Sequence, residues 1–454
     1  MHWAAIRAEV PQIMALVIPI IVGLAASTLL GVTDSLMLAP LGSVPLAAVG
    51  ITNAVAVIMY AAIYGLLSAL SVRIGAAHGA RDGRAIPGIL RAGLMLGLLC
   101  GVAGTALMLL AWPLLPLLGQ PAEVLAVMFP YWMAIALMLI PFSLLTVFKS
   151  VFEAVDRPWL GTSFAMLAVV INVPLNYALI WGVDPFPMLG LTGAGIATVV
   201  AETLALLAAV LWWQFAPAMR RLRLRRGLDW ANLRATLREG APLGLRYVAE
   251  TAAMAAATLM IGVFGTVALA GNQVAMAVGG LLYMVPLGVA GAVAIRVAQA
   301  RGAGEGARLR PVTFAALVIA LGWLGPAAVL LGFGGTWVAG LVTADAQVIT
   351  VAGAIFTVFA LSQVMDGIQS TMTGALRGLS DAGFAAATSL TAYWGLGLPL
   401  GWVLAHRGLA NWGLANGGLA NGGGMGPAGV WMGFVVALAL ASVALVWRFL
   451  RQTR

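Results

Sequence analysis

Residues 240–305 read GAPLGLRYVAETAAMAAATLMIGVFGTVALAGNQVAMAVGGLLYMVPLGVAGAVAIRVAQARGAGE. Two long apolar runs pass through this stretch, joined by the short turn Phe264-Gly265-Thr266. Each is long enough to cross a bilayer as a helix, which takes roughly 20 apolar residues. Inside the first run sits a carboxylate, Glu250. An ionised group at the centre of such a helix costs about 2.5–3.5 kcal/mol on insertion scales, so it needs a partner or a purpose.

The same stretch occurs earlier in the chain. At an offset of 223 positions Pro19 lands on Pro242, Gly42 on Gly265 and Leu46-Ala47 on Leu269-Ala270. Without a gap, Tyr60 then meets Tyr283, Gly65 meets Gly288, Arg73 meets Arg296 and Gly79-Ala80 meets Gly302-Ala303. Shared hydrophobicity does not hold one offset over residues 19–82; a duplication does. The copies differ in their acids, because Glu250 replaces Ser27 and Asp34 replaces Ala257.

Composition sets the class. The chain has 454 residues, 62% of them apolar and 9% charged, where a soluble protein carries about 25% charged residues. That identifies an integral membrane protein and assigns the net charge of +9 to topology rather than to nucleic acid. The first apolar run, about 11–37, is too long for a signal-peptide core and is expected to remain as a helix. Cys100 has no second cysteine to pair with, and His2, His78 and His406 lie in loops or tails, so no metal cluster or disulfide is expected.

Twelve spanning helices are expected, near 11–37, 45–72, 86–111, 122–148, 159–182, 190–215, 239–263, 267–295, 311–334, 346–373, 383–405 and 428–448. Basic residues collect at the amino end and after every second helix: Arg73, Arg81, Arg84 and Arg91; Lys149 and Arg157; Arg220 to Arg238; Arg296 to Arg310; Arg377; and Arg448 to Arg454. The alternate loops hold only Arg407. The positive-inside rule then places both termini in the cytoplasm. The expected organisation is a six-helix lobe over 1–216, a basic cytoplasmic linker over 217–238 and a second six-helix lobe over 239–454. The basic cluster at 220–226 reads either as a lipid or partner site or as the topogenic joint between copies. Six helices per copy give both lobes one orientation, related by an axis along the membrane normal, as in many transporters. Residues 408–422, GLANWGLANGGLANG, are a low-complexity insertion that cannot bury enough surface to fold alone.

Four of the fifteen acidic residues lie well inside the expected helices: Asp34, Glu202, Glu250 and Asp366. Each can bind a proton, a metal cation or an organic cation. Asn172 and Asn176 share a face of helix five with Pro174 between them, and Thr198 stands one turn before Glu202 on helix six. With Asp34 they form an oxygen-rich proton or hard-cation site, or the two amides simply join helices. Arg246 lies one turn before Glu250 and reads as its internal ion-pair partner. Tyr247 and Met254 flank the same carboxylate, as cation contacts or as core. Asp366, with no basic residue within a turn, is the foremost single candidate. Glu202 ranks below the others, since it can equally face the inner headgroups.

The motifs GVTDSLMLAPLG with LAAVG, INVPLNYALIWG, APLGLRYVAE, LAGNQVAM, VPLGVAGAVAIRVAQARGAG, GALRGLSDAG and YWGLGLPLGW occur in order over about residues 8–448. Together they resemble the multidrug and toxic compound extrusion (MATE) family. Glu250 and Asp366 resemble the cation-site carboxylates of its NorM branch, with Na+ as a candidate occupant. Asp34 resembles the helix-one aspartate of the bacterial branches, and Asn172 and Thr198 resemble its companions. The DinF branch would place an aspartate at Asn176 and lack Glu250. Arg246 departs from the usual apolar residue. The resemblance implies an all-α integral membrane fold, twelve helices in two pseudo-symmetric six-helix lobes forming a V, in the cytoplasmic membrane. It implies a Na+- or proton-coupled antiporter of organic cations and drugs, with no cofactor and no enzymatic activity. Its partners would be small organic cations and membrane lipids, not nucleic acid, and it would act as a monomer. An exporter or flippase of lipid-linked sugars shares the lobe plan and is the alternative; fourteen helices and a basic central cavity would mark it.

The topology is open to labelling. In a Cys100→Ser background, Ser43→Cys and Thr266→Cys are expected to react with an impermeant thiol reagent added to intact cells, while Gly83→Cys stays shielded until the membrane is permeabilised.

Overall fold

The computed structural model describes residues 3–217, 229–407 and 424–454. The basic cluster at 220–226 and the pentapeptide segment at 408–422 lie outside the described residues. Among those described, the regular structure is helical, in twelve rods. They are α1 (Trp3–Leu38), α2 (Ser43–Gly79), α3 (Ile86–Ala111), α4 (Ala122–Ala154), α5 (Pro158–Trp181) and α6 (Leu191–Phe215). Then follow α7 (Trp230–Gly262), α8 (Thr266–Gly302), α9 (Leu309–Gly340), α10 (Ala346–Gly378), α11 (residues 382–407) and α12 (Pro427–Gln452).

Ten of these are long and apolar enough on composition alone to cross a membrane, which makes this a multi-pass membrane protein. The other two are α7 and α11. Charges at Arg234, Arg238 and Glu239 lower the apolarity of the first half of α7. In α11 a π-helical segment, Thr391–Gly397, separates Ala382–Leu390 from Leu398–Arg407. The helix expected after the joint starts early: α7 begins at Trp230, inside the stretch read as linker. Its start has a local cause. The Asp229 carboxylate accepts from the backbone N–H of Asn232 at 3.0 Å and from its side-chain amide at 2.7 Å, an N-terminal cap. These bonds, the backbone one foremost, hold its pKa below the usual carboxylate value.

Lys149 is a correction. The sequence places it as a charge in the loop after helix four, but α4 continues to Ala154 and Lys149 lies inside it, half-buried. The structural counterparts Gly42 and Gly265 bear out the duplication. Both immediately precede a helix, α2 and α8, with φ of +109° and +100°, a region that glycine enters without a Cβ clash.

Packing divides the chain into two compact units: Ile18–Val248, and the chain up to Val17 together with Ala249–Arg454. The divisions fall inside α1 and α7, so the amino-terminal part of each copy's first helix packs with helices of the other copy. In the first unit, Gly65 of α2 lies where a Cβ would collide with the backbone of Leu243 and Gly244 in α7. Arg73 donates to Glu239 at 3.1 Å and to Asn232 at 2.6 Å. In the second, Arg296, the duplicate of Arg73, donates to the Gln12 carbonyl of α1 at 3.1 Å. Arg308 there clasps the buried Glu9 carboxylate through Nε at 2.8 Å and a terminal nitrogen at 3.0 Å. Such bidentate, charge-assisted pairs are the strong ones.

Glycines set the helix spacing that positions the candidate site. A Cβ on Gly193 of α6 would lie 2.5 Å from the Leu179 carbonyl of α5, and one on Gly195 would meet Ala134 of α4 at 2.7 Å. In the second unit Gly374 of α10 abuts the Ala290 carbonyl of α8. Small residues at membrane helix contacts allow this approach. Gly374→Val is accordingly expected to cost about 1–3 kcal/mol by overpacking. Gly280→Ala meets nothing within 4 Å and should be neutral or stabilising by roughly 0.5–1 kcal/mol. Thermal unfolding in detergent, read for both variants side by side, checks the contrast.

Candidate functional site

In the first unit, α1, α5 and α6 bring Asp34, Asn172, Asn176 and Thr198 into one buried hydrogen-bonded cluster. Asp34 and Thr198 are 4% exposed, and both asparagines are fully buried. Asn176 donates one amide hydrogen to Asp34 Oδ1 at 2.5 Å and the other to Asn172 Oδ1 at 2.9 Å. Asn172 donates to Thr198 Oγ1 at 3.1 Å. The Thr198 hydroxyl reaches both Asp34 Oδ2, at 3.1 Å, and the Ala194 carbonyl, at 3.0 Å. The helical spacing of four residues, seen in the sequence, points both asparagines the same way, and the close approach at Gly193 brings Thr198 to meet them. Glu202 lies one turn further along α6, 7% exposed, and its Oε2 accepts no hydrogen bond among the described residues.

Thr198 carries one proton, which it can direct to only one of its two acceptors. With Asp34 ionised, the hydroxyl donates to Oδ2. With Asp34 protonated, the acid can donate to Thr198 Oγ1 while the hydroxyl donates to the Ala194 carbonyl. Both states keep Asp34 and Thr198 hydrogen-bonded without moving a heavy atom, while Asn176 Oδ1 accepts no hydrogen bond among the described residues.

The second unit holds Glu250 and Asp366, each half-buried. Tyr283 of α8 donates to Glu250 Oε1 at 3.4 Å, and its hydroxyl lies 2.8 Å from Ser370 Oγ. Tyr393 donates to Asp366 Oδ1 at 3.4 Å. Asp366 and Ser370 are four residues apart on one face of α10, so the tyrosines connect α7, α8, α10 and α11 around the two acids. Tyr393 belongs to the π-helical segment, and the next residue, Trp394, donates to the Ala249 carbonyl beside Glu250 at 2.9 Å. Single-turn π-helices recur at functional positions because they re-aim side chains out of the α-helical register. Arg246 and Tyr247 lie on the part of α7 that packs in the first unit. The Arg246 guanidinium is 5.1 Å from the Tyr247 ring centre, and that ring meets Tyr64 edge-on at 5.6 Å.

The sequence alone does not mark Tyr283, Ser370, Tyr393 or Trp394 as site residues. A signal for Ser370 was present: Gln363, Asp366, Ser370, Thr373 and Arg377 are spaced three, four, three and four residues apart, a polar stripe on an apolar helix. Nothing in the α-helical periodicity finds Tyr393. Among the described residues no group of three or more His, Cys, Asp or Glu converges to hold a metal ion.

The MatE family model matches residues 19–178 and 242–403, two segments whose starts are separated by the 223-residue offset of the duplication. The multidrug resistance protein PmpM of Pseudomonas aeruginosa is 31% identical over 407 residues, covering 88% of this chain and 83% of that protein. A probable multidrug resistance protein NorM of Deinococcus radiodurans is 32% identical over 415 residues, covering 88% and 86%. Among solved structures, a MATE transporter in the bent conformation superimposes with a TM-score of 0.87 at 19% identity, covering 99% of this chain and 97% of that one. The Vibrio cholerae MATE transporter VcmN in its bent form gives 0.84 at 22% identity, covering 99% and 98%.

The two clusters differ in how much hangs on one side chain. Thr198→Ala leaves Asp34 Oδ2 and an Asn172 amide hydrogen buried without a partner, each worth roughly 1–3 kcal/mol. Tyr283→Phe removes a hydroxyl at a half-buried position and should cost only about 0.5–1.5 kcal/mol. Thermal unfolding should therefore rank Thr198→Ala below Tyr283→Phe, with Thr198→Ser near the parent protein.

Proposed function

The chain belongs to the MatE family, and from that premise we propose that it is a cation-coupled antiporter that exports organic cations and drugs across the cytoplasmic membrane, with both termini in the cytoplasm. The names of the relatives, multidrug resistance proteins PmpM and NorM, support the cargo. The alternating placement of basic residues supports the orientation. The single observation that carries the coupling is the Asp34 cluster, which accommodates one added proton by rotating hydrogens alone.

Asp34 is the proton site in this reading. Asn176 turns an N–H toward the carboxylate, and an N–H repels a metal ion where it completes a hydrogen bond to an acid or its anion. Glu250 and Asp366 are the cation-binding acids. Both are half-buried acids, each with a tyrosine hydroxyl at 3.4 Å, and a carboxylate can accept from several directions. Those positions suit an organic cation, or Na+ if sodium is the coupling ion. Coupling follows when occupation of one acid changes the affinity of the other sites, and such linkage is reciprocal.

Asp34→Asn and Asp366→Asn separate the roles. Both replace a charge by an amide of the same size, so the protein should accumulate in the membrane at normal level. In vesicles, Asp34→Asn should lower efflux of a fluorescent cation driven by a proton gradient at least tenfold. Asp366→Asn should weaken binding of that cation to the purified protein by a similar factor. Wild-type proton-driven efflux in Asp34→Asn would place the proton site elsewhere.

A further inference from the structure

In the second unit, one buried polar side chain beside the two acids has no task yet. Gln363 of α10 is 7% exposed, and its Oε1 is buried with no hydrogen-bond partner among the described residues. The polar groups around it are engaged. Ser362 donates to the Phe359 carbonyl at 2.8 Å, and the Ser442 hydroxyl donates to the Met365 carbonyl at 3.1 Å. Ser370 shares a hydrogen bond with Tyr283. Tyr393 donates to Asp366, and Trp394 donates to the Ala249 carbonyl. A buried amide oxygen without a donor is unfavourable to keep, so a group that brings an N–H or O–H to Gln363 is stabilised there.

Two separate steps tie Gln363 to the acids. On α10 it precedes Asp366 by three residues, a spacing that puts Cβ atoms about 5–6 Å apart on the helix surface. Helical side chains lean toward the amino end of their helix, so Asp366 leans toward the turn that carries Gln363. On α8 the contact is Gly279, where a Cβ would stand 3.6 Å from Gln363 Nε2. Tyr283 follows Gly279 by four residues on the same face of α8 and donates to Glu250 at 3.4 Å. Gln363 therefore lies one helical turn from each of the two acid–tyrosine pairs. One turn earlier on α10 the surroundings become aromatic. The Phe359 ring packs on Gly279 and meets Trp431 edge-on at 4.7 Å.

We propose that Gln363 is the third acceptor of the cargo site, and that it selects protonated amines over quaternary ammonium and phosphonium cations. This inference rests on the reading of Glu250 and Asp366 as the cation-binding acids. A primary ammonium carries three N–H donors, and two carboxylates with one amide oxygen offer it three acceptors. The carboxylates supply an attraction that every organic cation feels. The amide oxygen adds a directional bond that only an N–H completes. Water can serve that oxygen in the absence of cargo. An N–H that displaces the water keeps the bond, whereas a methyl group does not. Discrimination of this kind is strong because the wrong ligand leaves a buried polar group unpaired. The Phe359 and Trp431 rings provide apolar surface for the body of the amine.

Binding of a matched pair of probes to the purified full chain tests it. The pair is 1-naphthylmethylammonium and its N,N,N-trimethyl analogue, which share one charge and one ring system. The parent protein should prefer the primary ammonium. Gln363→Leu should lower the ratio of the two affinities about tenfold, the effect of losing a hydrogen bond to a charged group. Gln363→Glu, which keeps an acceptor oxygen, should keep the preference. Equal affinity of the parent for both probes would overturn the proposal. So would an unchanged ratio in Gln363→Leu, including an equal loss for both probes, since that marks a residue that only shapes the site. A lost preference in Gln363→Glu would count against it in the same way. If Gln363→Leu fails to accumulate, Gln363→Met decides by the same ratio. Asp366→Asn run in parallel keeps the premises apart, because removing the charge should weaken both probes alike. Parental binding of both probes there refutes the cation-site reading. A weakened Asp366→Asn beside an unchanged ratio in Gln363→Leu refutes the Gln363 contact alone.

Discussion

A carboxylate between hydrocarbon-packed helices must have its oxygens occupied, and much of this structure follows from meeting that demand. Water is not at hand to solvate it, and an unpaired buried charge costs several kcal/mol. Asp34 therefore requires α1, α5 and α6 to lie close enough for Asn176 and Thr198 to reach it. That spacing requires glycine at 193, where α6 nearly touches the carbonyl of Leu179. The acid and the small residues are parts of one solution. Leaving the acid without its amide and hydroxyl partners would make its ionised form untenable, and crowding the glycine would remove the partners.

The duplicated halves satisfy the demand differently on one scaffold. Tyr60 and Tyr283 stand at equivalent positions. Tyr283 donates to Glu250, while the Tyr60 ring packs against Phe142 at 4.9 Å. Arg73 and Arg296, also equivalent, each hold the first helix of the other copy. What duplication preserved is the helix framework and its ends. What diverged is the position of the acids: Asp34 is enclosed by amides, whereas Glu250 and Asp366 are half-buried beside tyrosines. A site closed over by fixed hydrogen bonds suits a proton, which needs no space. A more open pair of acids suits a ligand of finite size.

The exchanged ends of α1 and α7 change what the sequence halves mean. The offset of 223 defines two copies along the chain, but the packing units divide inside the first helix of each copy, at Val17 and Val248. Charge anchors these ends, with Arg308 on Glu9 in one unit and Arg73 on Glu239 in the other. Arginine suits such places because its planar fork binds a carboxylate in fixed geometry.

The membrane class, the twelve helices, the duplication and the Asp34 partners were legible in the residues alone. Each depends on short-range pattern: apolar length, charge alternation, one constant offset, and side chains four apart on a helix. Even the polar stripe from Gln363 to Arg377 can be counted off. Lys149 shows where such reading fails. A basic residue near a helix end looks like a topology signal, and only the extension of α4 to Ala154 and the close approach of Gly23 and Gly161 reveal it as a half-buried residue inside the helix. Tyr393 could not be counted at all, since a π-helical turn changes the register that counting assumes. Linear pattern records which face a residue occupies on its own helix. Which helices meet, how closely, and at what register is decided by the packing of all of them, and that is where the tyrosine partners of Glu250 and Asp366 were settled.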